Sequence, residues 1–390
     1  MDELMYRSVD GRLTVRHVRL QGTNEEIGES LGKTARSRYQ VSPQDLLLPA
    51  DVAAGRREWA ARHYPELLQR GAGIARSFGL DPSDPEVDAL GVGFNVALPV
   101  PPQVMGCSVV AAPTTDSGIV LQRNFDFGFL SLPEMILGPG AYPEAPAMLS
   151  EPYLMEIHPT DGGMSALFMC AFDLCNGVID GMNEAGLVVS LMQLIDRTDS
   201  EFAPPAVEPG LNEFEVLRFL LDRCRTVGEA QRVFEEQRPY LSWLPCHYVI
   251  ADADGAVMLV EPDDAGVMQI RTTRDGPMCS TNHSLLRQLP DSSRNDPEIL
   301  GSLDRLRVLT DTVVADSAGS FGSDRLAAAA GQVAVSTRRP EDGSVLGGTL
   351  WSAAYRPGDR SLSIRYWAGP GETDGSPDFS PEMRFALAPA

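Results

Sequence analysis

The pattern of the chain changes at Gly106-Cys107, and this change constrains the fold more than any other feature of the sequence. Before it stands the stretch LPVPPQVMG, from Leu98 to Gly106, whose prolines lack backbone donors and favour an extended, exposed segment. After it, CSVVAA predicts a strand, TTDSG a turn and IVLQRNFDF a returning strand. The sequence therefore predicts a β-hairpin that begins at the cysteine and follows a linker or cleavable junction.

Further strand-like and helical patterns follow the hairpin. The strand-like runs are SALFMCAF, GVIDGM, GLVVSLMQL, CHYVIAD and AVMLVEP. Two helices interrupt them: NEFEVLRFLLDRC, and a helix whose start at Thr226 has Glu229 at capping-box spacing. Later, SLDRLRVLTDTVV predicts a helix, and GTLWSAAY and SLSIRYW predict a hairpin around RPGD. This order is typical of a layered α+β domain with mostly antiparallel sheets.

Residues 1–106 carry mainly helical patterns. The segment TNEEIGESLGKTARSRY has acidic residues early and basic residues late, which suits the helix dipole. A second helix is predicted over REWAARHYPELLQRGAGIARSFG. We therefore expect a mostly helical amino-terminal segment.

Composition excludes several classes of protein. The 390 residues are 43% hydrophobic and 22% charged, which suffices for a large core, and the net charge is -22. That charge repels nucleic acid and anionic membranes, and no run of Lys and Arg offsets it. No apolar stretch suits a signal peptide or a membrane span. We expect a cytoplasmic protein without nucleic-acid or membrane partners.

Metal ions and cofactors also lack their usual motifs. The six cysteines are scattered without a CxxC pair, which favours reduced thiols over disulfides. The five histidines lack HxxxH or HExxH spacing. Neither a strand-GxGxxG-helix unit nor a GxxxxGK[ST] loop is present. We expect no metal and no cofactor.

A group of three side chains suits covalent catalysis. Arg123 and Asp126 stand sixteen and nineteen residues after Cys107, so a returning strand would bring a guanidinium and a carboxylate beside the thiol. The thiol could attack the carbonyl of Gly106, which glycine leaves sterically open. Hydrolysis of the resulting thioester would give Cys107 a free α-amino group, with a pKa near neutrality, as a base beside its own thiol.

These residues resemble the cysteine N-terminal-nucleophile (Ntn) hydrolases. In that group, choloylglycine hydrolases and acyl-CoA:isopenicillin N acyltransferases carry a cysteine followed by an R/Q-N-x-D motif. The resemblance continues at GTNEEIG (22–28), DGMNEAGL (180–187), TNH (281–283) and SLDR (302–305). It is closer to the acyltransferases, peptidase family C45, because 106 residues precede the cysteine.

The resemblance implies a four-layer αββα sandwich that cleaves itself between Gly106 and Cys107. The products would be an α chain, 1–106, and a catalytic β chain, 107–390, which stay associated as one globular unit. It further implies that Asp126 holds the new α-amino group.

The resemblance also assigns roles to four other side chains. Arg123 would stabilise the thiolate and the carboxylate around it, and Asn282 would donate its amide to the oxyanion. Arg305 would brace the site by pairing with a carboxylate. Gln193 stands where choloylglycine hydrolases carry an asparagine, and it is a further candidate donor.

Three functions compete. The first is an amidohydrolase or acyltransferase that acts on a small-molecule amide or an acyl-CoA. The second is a choloylglycine-like acyl-amide hydrolase without transferase activity. The third is an uncleaved, non-catalytic binding protein on the same fold.

Several of the named residues also have structural alternatives. Arg123 and Asp126 could form an ordinary ion pair, and Asn282 could form an Asx turn. Arg305 stands two residues from Arg307, which points elsewhere on a helix. Packing or hydrogen bonding suits His283 better than the role of a base, and Asn183 and Gly186 are expected only to build a turn.

Overall fold

The structure, a computed structural model, describes most of the chain: residues 1–39, 41–91, 105–129, 152–171, 173–195, 208–241, 245–263, 265–274, 276–287, 297–314, 321–338, 343, 345–371 and 376–388. The α-helices in those ranges are α1 Asn24–Arg38, α2 Ala50–His63, α3 Pro65–Ser77, α4 Glu215–Arg223, α5 Val227–Gln237, α6 Pro297–Val314 and α7 Ser323–Gln332; a 3-10 helix covers Pro43–Leu46. The strands are β1 Asp2–Arg7, β2 Thr14–Gly22, β3 Met105–Thr114, β4 Gly118–Gly128, β5 Tyr153–Pro159, β6 Ala166–Cys170, β7 Val178–Asn183, β8 Val188–Gln193, β9 Cys246–Ala251, β10 Val257–Pro262, β11 Met268–Thr273, β12 Met278–Ser280, β13 Ser336–Arg338, β14 Val345–Arg356, β15 Ser361–Pro370, β16 Pro377–Phe379 and β17 Met383–Ala386.

Two large sheets contain these strands. Within the described ranges, the first has the order β1-β2-β5-β6-β7-β8-β9-β10-β11, and the second has β12-β3-β4-β14-β15-β16, with β13 on β14 and β17 on β15. Pairing is antiparallel except between β2 and β5. The predicted α+β class with mostly antiparallel sheets is therefore confirmed.

The sheets pack face to face between two layers of helices. β3 of the second sheet contacts β8 and β9 of the first, while α1, α4 and α5 contact the first sheet, and α6 and α7 contact the second. Every residue of β7 to β10 is buried, as expected for strands covered on both faces. This is the predicted four-layer αββα arrangement.

The predicted hairpin at the cysteine is present as β3 and β4. Its register pairs Cys107 with Phe125 and Gly106 with Asp126, and the turn returns at Gly118, whose φ is +65°. The stretch from Leu98 to Gly106 was expected to be extended and exposed. Its residues 98–104 lie outside the described residues. Gly106 itself is buried within β3, because the strand begins before the cysteine.

The amino-terminal segment contains strands as well as the predicted helices. β1 and β2 form one edge of the first sheet, and β2 pairs with β5 of the later part of the chain. The single helix predicted over 57–79 is two helices, α2 and α3. The break lies at Tyr64, whose φ of -146° is the extended conformation that a following proline favours.

The helices of the described residues are short or polar for a membrane span. None of the helices there combines the length and the apolar character needed to cross a bilayer.

Candidate active site

The site is built at the edge of the second sheet, where β12 lies beside β3. β12 runs antiparallel to β3 and pairs Ser280 with Val109. Because β12 ends at Ser280, the next residues, Thr281 and Asn282, continue toward the level of Cys107. The sequence therefore brings Asn282 to Cys107 through strand register.

Asn282 holds the backbone nitrogen of Cys107. Cys107 N donates to Asn282 Oδ1 at 2.7 Å, and Arg305 Nη2 donates to the same oxygen at 2.8 Å. Asn282 Nδ2 donates to the backbone carbonyl of Gln193 at 3.0 Å. The amide of this fully buried side chain is thus oriented by three partners.

Helix α6 contacts Asn282 with two side chains on one face. Ser302 Oγ accepts the Asn282 backbone N–H at 2.9 Å, and Arg305, one turn later, reaches the side-chain oxygen. His283 Nδ1 lies 2.8 Å from Ser302 Oγ, which fits the hydrogen-bonding role predicted for it. Arg307 is exposed and pairs with Asp304. Arg305, rather than Arg307, is therefore the arginine of α6 that contacts the site.

Arg123 lies between the cysteine and the opposite sheet. Its Nη2 donates to Cys107 Sγ at 3.4 Å and to the carbonyl of Leu191 at 2.7 Å, and its Nη1 donates to Asp180 Oδ1 at 2.8 Å. Asp180 also accepts from Trp351 Nε1 and Tyr355 OH. The guanidinium therefore reaches the thiol and is held by a carboxylate of β7.

Asp126 faces the glycine that precedes the cysteine. Its Oδ1 accepts from the hydroxyl of Thr349 at 2.6 Å. A Cβ added to Gly106 would lie 2.8 Å from Asp126 Oδ2, a separation that real Cβ atoms do not show. A side chain at 106 would force the Asp126 carboxylate to move, because the carboxylate occupies the space of a Cβ there.

Burial dominates the electrostatics of the site. Burial raises the pKa of the Cys107 thiol to about 11, although the charge of Arg123 opposes this shift. Burial likewise raises the pKa of Asp126 above its usual value, against the charge of Arg305 and the hydrogen bond from Thr349. With the Gly106–Cys107 peptide bond intact, Cys107 is a protonated thiol at neutral pH.

Metal-ligating side chains are not clustered in the described parts of the chain. No three His, Cys, Asp or Glu side chains there come close enough together to hold an ion. The side chains at Cys107 offer a nucleophile, a carboxylate, two guanidinium groups and an amide. That set is suited to acyl transfer through a thioester.

Comparison with known families decides the relationship. Residues 145–371 match the family of acyl-coenzyme A:6-aminopenicillanic acid acyl-transferases, which is more than half of the chain. The chain belongs to this acyltransferase family. The matched part contains Gln193, Asn282 and Arg305, and it begins after the hairpin that carries Cys107.

Solved structures similar to this acyltransferase family member include a hydrolase and an acylase. A variant of the conjugated bile acid hydrolase from Clostridium perfringens is 14% identical, with 72% of this chain and 92% of that chain covered and a TM-score of 0.47. Penicillin V acylase from Agrobacterium tumefaciens is 18% identical, with 67% and 82% covered and a TM-score of 0.45.

The structure of this acyltransferase family member brings the predicted site residues together, but three of their contacts differ from those predicted. Arg305 was expected to pair with a carboxylate, but in the structure it donates to the amide oxygen of Asn282. Gln193 reaches the site through its backbone carbonyl, and its buried Oε1 has no hydrogen-bond partner among the described residues. The ion pair considered for Arg123 and Asp126 is instead one between Arg123 and Asp180.

Sequence reasoning missed three residues that shape the site: Asp180, Ser302 and Thr349. Asp180 and Ser302 stand in the segments DGMNEAGL and SLDR, which carried the family resemblance. That position in a shared segment was a usable signal. Thr349 stands in an ordinary strand pattern and had none. The turn role predicted for Asn183 is confirmed, since its Oδ1 accepts from the backbone N–H groups of Ala185 and Leu187.

Proposed function

We propose that the chain cleaves its own Gly106–Cys107 bond and then uses Cys107 as the nucleophile of an amide hydrolase or acyltransferase. The observation that carries this proposal is the 2.7 Å hydrogen bond from Cys107 N to Asn282 Oδ1. It orients the nitrogen that must leave, at a peptide bond whose preceding glycine leaves room for the Asp126 carboxylate.

The cleavage step begins at the thiol. Because its pKa is about 11, Cys107 must give its proton to a base as Sγ attacks the carbonyl carbon of Gly106. Asp126 is the carboxylate at that peptide bond and takes this role. The C–N bond then breaks, and the proton passes to the Cys107 nitrogen, leaving a thioester between Gly106 and Sγ. Water opens the thioester to give a Gly106 carboxylate and the free thiol.

The mature site would use the new amine. An α-amino group with a pKa of about 8 can accept the thiol proton during attack on a substrate amide. In this proposal Asp126 and Asn282 Oδ1 bind the amine and Arg123 stabilises the thiolate, which is supported by the hydrogen bonds of Asn282 and Arg123 to Cys107. A second N–H of the Asn282 amide and the Gln193 side chain are the candidate donors to the oxyanion.

Family membership and the nucleophile support a proposal for the substrate class. We propose a small-molecule amide, or an acyl-CoA, as the acyl donor. The acyl group is held as a thioester on Cys107 and is passed to water or to an amine.

Cleavage is tested on purified protein by intact-mass spectrometry. Wild type should give two masses that meet at Gly106/Cys107, and Cys107→Ala should give one. Cys279→Ala, which removes a thiol from the neighbouring strand β12, is the matched control and should be cut as wild type is. An intact wild-type chain that still turns over an amide, or a cut Cys107→Ala chain, would contradict the mechanism.

Transfer and hydrolysis are separated by supplying the cleaved enzyme with an acyl-CoA and 6-aminopenicillanic acid, the acceptor in the family's name. A transferase forms the new amide. Release of free acid alone would support the choloylglycine-like alternative, and no turnover of any acyl donor would support the binding-protein alternative.

A further inference from the structure

The two carboxylate oxygens of Asp126 differ in their surroundings. Oδ1 accepts the Thr349 hydroxyl at 2.6 Å, whereas Oδ2 is buried and accepts no hydrogen bond from the described residues. An unpaired buried carboxylate oxygen is costly, and catalytic sites are among the places where such atoms are found.

Thr349 is itself held in one orientation. Its Oγ1 accepts the backbone N–H of Val335 at 2.9 Å, and its own N–H donates to the Val335 carbonyl at 2.9 Å. Because Val335 supplies a proton to Oγ1, the hydroxyl hydrogen of Thr349 is directed to Asp126. The side chain is fully buried.

A β-bulge places Thr349 opposite Asp126. β14 pairs Thr349 with Asp126 and Trp351 with Phe125, so Leu350 is an extra residue between them. Without this residue, the register of β14 would shift by one, and Thr349 would no longer face Asp126. The bulge therefore directs the Thr349 hydroxyl toward Asp126.

Oδ2 is the oxygen that lies against the cleavage point. It is 2.8 Å from the position of a Cβ on Gly106, while Oδ1 is not among the three nearest atoms. The charged or titratable groups that act on Asp126 are Arg305 of α6, Arg123 of its own strand and the neutral Cys107 thiol of β3. None of these has a hydrogen bond to the carboxylate among the described residues, so Thr349 is the side chain that orients it.

We propose that Thr349 is a positioning residue for self-cleavage, which occupies Asp126 Oδ1 and leaves Oδ2 facing the Gly106–Cys107 peptide bond. The inference rests on the proposed function. The thiol proton passes to Oδ2 as the bond from Sγ to the Gly106 carbon forms, and it passes to the Cys107 nitrogen as the C–N bond breaks. Thr349 keeps its own proton throughout.

The test compares Thr349→Val, which removes the hydroxyl at nearly constant shape, with Thr349→Ser, which keeps it. The measurement is the rate of precursor cleavage against pH, by mass spectrometry. Thr349→Val should slow cleavage about 10-fold to 100-fold, a part of what general acid–base catalysis contributes. Thr349→Ser should restore most of the rate. Ser352→Ala, which removes another hydroxyl of β14 that contacts Gln122, should cleave as wild type does.

The pH profile separates positioning from loss of fold. The Thr349 hydrogen bond lowers the pKa of Asp126, so its removal should move the rising limb of the profile to higher pH. A Thr349→Val chain that cuts at the wild-type rate with an unchanged profile would overturn the inference and leave self-cleavage standing. A wild-type chain that is never cut would instead refute the proposed function. If Thr349→Val does not fold, Thr349→Cys, a weaker donor of similar size, replaces it with the same expected direction.

Discussion

Among individual residues, Asp180 determines how Arg123 can act on Cys107. The guanidinium has no exposed surface, and its charge is balanced by a carboxylate that also accepts from Trp351 and Tyr355. Aromatic rings of Phe125 and Trp351 lie within 5.0 and 5.9 Å of the guanidinium carbon. The carboxylate and the two rings hold the plane of the guanidinium. Its Nη2 therefore points toward Cys107 Sγ and the Leu191 carbonyl.

We therefore expect Asp180→Asn to weaken the fold and the site together. Removing one partner of a buried ion pair costs on the order of 3 kcal/mol, since the other charge stays buried. The measurement is the urea midpoint in a Cys107→Ala background, which keeps the chain whole. Asp304→Asn, which removes the exposed partner of Arg307, should cost less than about 1 kcal/mol. Equal losses of unfolding free energy in Asp180→Asn and Asp304→Asn would contradict the role of Asp180 as the buried partner of Arg123.

Among elements, the hairpin β3–β4 was predictable and the cross-sheet contacts were not. Strand alternation and the TTDSG turn fix the register, which puts Arg123 on the same face as Cys107 and Asp126 on the face of Gly106, and both placements follow from the sequence. The contacts of Asp180 and Thr349 depend on how two sheets stack and on a bulge at Leu350, which no local pattern encodes.

The missed elements have similar physical reasons. β2 places Arg16 and His17 among its apolar residues, so its pattern did not suggest a strand. Its pairing with β5 is a contact between distant parts of the chain. The break at Pro65, in contrast, was available from the sequence, because a residue before proline avoids the helical conformation.

Helix α6 supplies a matched pair of arginines for a test. Arg305→Met removes a charged hydrogen bond to Asn282, worth about 1.5–3 kcal/mol, so we expect precursor cleavage to slow about 10-fold to 100-fold. Arg307→Met, two residues away and exposed, should leave the rate unchanged. Gel densitometry of cleavage over time decides this, and equal rates for the two variants would show that Arg305 is dispensable.

Across the whole molecule, buried charges join the amino-terminal segment to the rest of the chain. Asp222 of α4 pairs with Arg70 of α3 at 2.6 Å and accepts from the hydroxyl of Tyr64. Arg56 of α2 pairs with Glu215 of α4 at 3.1 Å. Together with the pairing of β2 and β5, these contacts support the proposal that segments 1–106 and 107–390 stay associated after a cut.

The association should depend on Asp222 and on pH. Burial alone would raise the pKa of Asp222, but the charges of Arg218 and Arg70 lower it below its usual value. A lowered carboxylate pKa stabilises the folded state above the unfolded value of about 4, and this contribution is lost as pH falls below it. Thermal unfolding of cleaved protein should therefore move to lower temperature as pH falls from 5 toward 3.

Two variants check that dependence. Asp222→Asn should unfold at lower temperature at pH 7 and show a weaker response to acid. Asp254→Asn, in an exposed turn between β9 and β10, should behave as wild type does. If the unfolding temperature of Asp222→Asn falls with pH as much as that of wild type, the acid sensitivity comes from other groups.

The parallel pairing of β2 with β5 has a consequence for the lifetime of a cut enzyme. In the uncut precursor, one covalent chain carries both strands, so their encounter is unimolecular. After a cut, the same encounter joins two molecules, and refolding becomes dependent on concentration. We expect the uncut precursor to refold from denaturant at any dilution. The cut protein, in contrast, should lose its activity irreversibly when it unfolds at high dilution. The lifetime of the cut protein is then set by its rate of unfolding.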